Sequence, residues 1–79
     1  DGSFIPFART ENDRLAANDP RLSIAERYST RDAYRQAYAA ATLALAEKGL
    51  ILASDVNGMV ERAGAFYDRL MRRDAATES

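Results

Sequence analysis

The chain has no cysteine, no histidine and no tryptophan. Without cysteine there is no disulfide framework, and without cysteine and histidine the usual zinc ligands are missing. The commonest general acid–base group is histidine, so neither a Ser–His–Asp nor a Cys–His site can be assembled from these residues. There is no G-x-S-x-G elbow, no phosphate-binding P-loop and no G-x-G-x-x-G run. No catalytic, cofactor-binding or metal-ligating residue is expected, and no cofactor. Long apolar runs are also scarce. The longest, residues 39–46, is broken by Thr42 and falls far short of the ~20 residues that cross a bilayer. The opening DGSFIPFART lacks the basic n-region of a signal peptide. Charge is balanced, with 11 basic and 12 acidic residues closely interleaved and a net charge of −1. No basic stripe stands out, so no nucleic-acid partner is expected. Lack of cysteine suits the cytoplasm and is compatible with the periplasm.

At 79 residues the chain is one domain at most. A chain of this size buries about 60–65% of the surface its unfolded form exposes. Such cores rarely supply more than about 3–5 kcal/mol unaided. With no disulfide or metal to help, further stability is expected from docking onto something larger. The absence of an initiating Met fits a piece processed or excised from a longer precursor.

What the chain does have is a long amphipathic stretch, residues 54–73. Val56, Met59, Val60, Ala63, Phe66, Tyr67, Leu70 and Met71 recur at steps of three and four, which predicts one apolar stripe on an α-helix. Asp55, Glu61, Arg62, Asp68, Arg69, Arg72 and Arg73 fall mainly off that stripe. Ser54 is the expected N-cap of this helix, and Asp68 and Arg72 an i,i+4 pair.

Upstream, Phe4, Ile5 and Phe7 surround Pro6, which biases Ile5 towards an extended conformation. This predicts an extended arm pinned to an apolar surface. Thr10 is a candidate cap for a short helix that would bury Leu15, and Asn18-Asp19-Pro20 ends it. Ser23 and Glu26 have the spacing of a capping box. Ser29 and Thr30 restart a helix, with Asp32 as the box acid for Ser29. That second long helix, residues 31–48, is alanine-rich, with Tyr34, Tyr38, Ala41 and Leu45 on one stripe. Ala37 and Ala44 widen the stripe, and Leu43 to one side suggests a second contact surface. Lys48 and Gly49 supply a basic last turn and a left-handed C-cap. Leu50, Ile51 and Leu52 can pack across the end of a helix pair. The short connection predicts an antiparallel hairpin. Residues 74–79 are polar and small, and are expected to fray.

Polar groups have a bland reading throughout. Glu47, Asp55, Glu61 and Asp68 fall on solvated faces. Asp13, Asp19 and Glu26 lie near Arg14, Arg21 and Arg27, which predicts ion pairs fixing the N-terminal segment more readily than an anion site. The tyrosines at 28, 34, 38 and 67 read as core or interface aromatics, since no basic groove accompanies them.

One run is more distinctive. Pro6-Phe7-Ala8-Arg9-Thr10 is followed by Arg14-Leu15-Ala16-Ala17, Asp19-Pro20-Arg21, Ser23 and Glu26-Arg27-Tyr28. Then come Tyr34 in the alanine-rich helix, Gly49-Leu50 and Asp55-Val56. This pattern resembles the C-terminal tail of a large bacterial family, the alpha/beta hydrolase domain proteins, over about residues 3–65. One departure is Ser29-Thr30, where a glycine is expected first. The resemblance implies the helical end of a larger α/β-hydrolase, an ester hydrolase whose catalytic residues lie upstream. It carries no catalytic residue onto this chain.

The expected fold is therefore all-α. An extended arm with one or two short helices occupies residues 1–30, an antiparallel helical hairpin 31–73, and a disordered tail 74–79. The expected docking surface is Phe4, Ile5, Phe7, Val56, Met59, Val60, Ala63, Phe66, Tyr67, Leu70 and Met71. Its partner would be a larger hydrolase body or another partner chain, with the segment stabilising that body or bordering its pocket. The alternative is a small helical protein–protein interaction module.

Overall fold

The computed structural model describes the backbone of residues 7–78 and the side chains of residues 7–72. Among these residues there are helices and no strands. Two short helices, α1 (Glu11–Ala16) and α2 (Ile24–Arg27), precede two long ones, α3 (Arg31–Glu47) and α4 (Val56–Glu78). A single 3₁₀ turn, Ala53–Asp55, leads into α4. The all-α hairpin expected from the sequence is present, and the molecule measures 41 × 22 × 18 Å.

Local chemistry sets most of the helix ends. Thr10 accepts from the Asp13 amide at 3.2 Å and starts α1. Ser23 and Glu26 form the full reciprocal capping box that starts α2. Two helices stop in the same way. At the end of α1, Asn18 takes the left-handed conformation (φ 54°) and the Asp19 amide returns to the Arg14 carbonyl at 2.8 Å. At the end of α3, Gly49 does so (φ 74°) and the Leu50 amide returns to the Leu45 carbonyl at 3.0 Å. Both are Schellman closures, which satisfy carbonyls the helix leaves open.

Several boundaries differ from expectation. The cap of α3 is Thr30, which accepts from the Ala33 amide at 3.0 Å, and not Ser29. Ser54 does not cap α4. It lies inside the 3₁₀ turn, which the Asp55 amide closes on the Leu52 carbonyl at 3.0 Å. The backbone of α4 continues to Glu78, through the stretch expected to fray. No glycine or proline interrupts it there, and Ala75 and Ala76 favour the helix.

The two long helices run antiparallel, since Arg31 reaches Asp68 while Arg35 reaches Glu61. Their shared interface is the core. Tyr34 and Tyr38 from α3 meet Ala63, Phe66, Tyr67 and Leu70 from α4, with Ile24 of α2 closing one side. The Tyr34 ring touches four others, stacked on Tyr67 at 5.5 Å between centroids and edge-on to Tyr28 at 5.4 Å. Thr42 is also sealed on this face. Its hydroxyl donates back to the Tyr38 and Ala39 carbonyls, so its burial leaves no donor unpaired. The buried stripe of α3 is thus Tyr34, Tyr38 and Thr42, while Leu45 is half-buried and Ala44 is exposed. Gly64 allows the close approach beside it. A Cβ there would lie 2.7 Å from the Arg31 guanidinium, which crosses over it towards Asp68.

Candidate docking surface

The stripe expected to meet a partner meets this chain instead. Val56, Ala63, Phe66, Tyr67 and Leu70 are buried, and Met59, Val60 and Met71 are half-buried against the same core or its edge. α3 and the N-terminal segment pack on this stripe, so its buried residues serve the chain's own core. Tyr34 and Tyr38 supply the area a single helix face lacked, and each buried large side chain contributes roughly 1.5–3 kcal/mol. Phe4 and Ile5 lie outside the described residues.

Phe7 is half-buried, and its contacts explain how the N-terminal segment is held. The Arg27 guanidinium lies 3.8 Å from the centre of its ring, with Arg21 at 5.3 Å. Arg27 also donates from Nε to the Leu22 carbonyl at 2.8 Å. Just past Phe7, the Ala8 and Arg9 carbonyls accept from the Ile24 and Ala25 amides at 2.9 and 3.0 Å. Residues 8 and 9 are therefore fastened to the first turn of α2. Arg9 in turn sits 5.5 Å over the ring of Phe66. Tyr67 donates its hydroxyl to the Tyr28 carbonyl and ties α4 to the end of α2.

The arginine–acid cluster serves the same segment. Arg14 grips Glu26 through Nε and Nη2, at 2.6 and 3.1 Å. Glu26 also accepts from the Ser23 amide at 2.9 Å. The Arg14 hydrogen bond, then that amide, hold the Glu26 carboxyl down at about 2. Asp19 lies at about 2 as well, because Arg21 binds it through both side chain and backbone. These carboxylates act as fasteners: each has its acceptor oxygens turned to the chain's own arginines and amides.

Among the described residues, large apolar side chains remain exposed in two places. Leu50 and Leu52 in the α3–α4 connection are each 67% exposed, and Leu43 on the last turns of α3 is 51% exposed. This is the turn end of the hairpin. The expectation that Leu50 and Leu52 pack across the helix ends is corrected, since only Ile51 between them is half-buried. The Schellman closure at Gly49 followed by the 3₁₀ turn holds both leucines away from the helix interface. Close by in the chain, Glu47, Lys48 and Asp55 are exposed charges of both signs. The second place is the N-terminal segment, where Leu15 and Leu22 are 55% and 47% exposed. Leu15 was expected to be buried. α1 buries none of its residues, because its six residues lie outside the packed hairpin.

The exposed leucines had a signal in the sequence. Leu43 lies off the tyrosine stripe, and Leu50 and Leu52 sit between two helix boundaries, where no facing helix remains to receive them.

No protein-family model, curated protein or solved structure matches the chain. Among the described residues, no group of three or more acidic side chains is placed to hold a metal ion. None of their helices is long and apolar enough to cross a membrane.

Proposed function

We propose that this chain is a non-catalytic helical segment of a larger α/β-hydrolase-type protein, an ester hydrolase, and that it packs against the body of that protein. The observation that carries the reading is the set of exposed leucines at the turn end of the hairpin: Leu43, Leu50 and Leu52. Apolar side chains exposed near one another beside a well-packed core are a surface on which another protein can dock. The hydrolase identity of that surface rests on the sequence resemblance over residues 3–65. In this reading the turn end stabilises the body or borders its pocket. The nucleophile, acid and histidine belong to the body.

Two measurements test the two parts separately. The coding sequence upstream of Asp1 tests the parent: a G-x-S-x-G elbow in the same reading frame supports it, and a start codon just before Asp1 overturns it. For the docking surface, Leu50→Ser/Leu52→Ser is made in the full-length parent. Its melting temperature is expected to fall by several degrees, while the same change in the isolated segment leaves melting unaltered. Equal behaviour in both contexts overturns the surface and leaves the parentage standing.

The alternative, a free helical interaction module, is favoured by the self-contained aromatic core around Tyr34. Sharp, cooperative melting of the isolated chain at micromolar concentration supports it.

A further inference from the structure

We draw no further inference here: the strongest candidate, the leucine patch at the turn end of the α3–α4 hairpin, belongs to the docking surface already described, and nothing in the structure shows what covers it.

Discussion

The Tyr67 hydroxyl donates to the backbone carbonyl of Tyr28, 39 residues earlier in the chain. The bond joins the long last helix to the end of α2, one of several points at which the N-terminal segment is fastened to the hairpin. Burial also raises the Tyr67 pKa, so the phenol remains a donor well above neutral pH. Tyr67→Phe keeps the stacked ring but leaves the Tyr28 carbonyl without this donor. The expected loss is about 1–2 kcal/mol in urea denaturation. An unchanged midpoint would show that the bond contributes nothing net.

The Arg14–Glu26 pair gives the fold an acid-sensitive fastener. Glu26 ordinarily titrates near 4.5 and is held at about 2 in the folded chain. A depressed carboxyl contributes stability above its unfolded pKa, and that contribution is lost as pH falls towards the folded value. Asp19, lowered from 3.8 to about 2, has the same sign. Melting temperature is therefore expected to hold from pH 7 to about 5 and to decline between about 4.5 and 2. Glu26→Gln should lower stability at pH 7 and flatten that decline, with Asp19 leaving a residual slope. A variant with the full wild-type slope would place the titration elsewhere.

Phe66 and Leu50 are both large and apolar, yet truncation should separate them widely. Phe66 lies in the core beside Tyr34, and Phe66→Ala is expected to cost about 3–5 kcal/mol. In a chain of this size that is enough to unfold most molecules at room temperature. Leu50→Ala removes an exposed side chain and should shift stability by less than about 0.5 kcal/mol. Circular dichroism of both variants checks the contrast. Similar losses from the two would mean that the turn end packs more tightly than its exposure indicates.

Gly49 has open space around it, so its role is purely conformational. Its φ of +74° is strained for any residue with a Cβ. Gly49→Ala is expected to destabilise by about 1 kcal/mol, and Gly49→Asn by less, since asparagine tolerates this region. Asn18 already occupies the same kind of position at the end of α1. Thermal melts of the two variants give the order. Alanine equal to asparagine would argue that the turn has rearranged.

Local signals in the sequence hold where the interaction spans only a few residues. Thr10, the Ser23–Glu26 box and Gly49 each act within four or five positions, and each does in the structure what its spacing implies. Ser29 and Ser54 looked equally suitable as caps. Thr30 caps α3 and Ser54 lies inside the 3₁₀ turn, and helix ends are uncertain from local sequence by a residue or two.

The amino-acid order by itself determined that there would be two long amphipathic helices, a short link between them and an arginine–acid cluster ahead of them. Side-chain periodicity and capping are local properties, and they survive without any knowledge of the fold. Only the tertiary structure decided which surface each stripe would meet. Periodicity marks the α4 stripe as apolar, but a partner helix thirty residues away and a foreign protein remove it from water equally well. In the folded chain Tyr34, Tyr38 and Ile24 reach that stripe first, and Leu43, Leu50 and Leu52 are left facing outward.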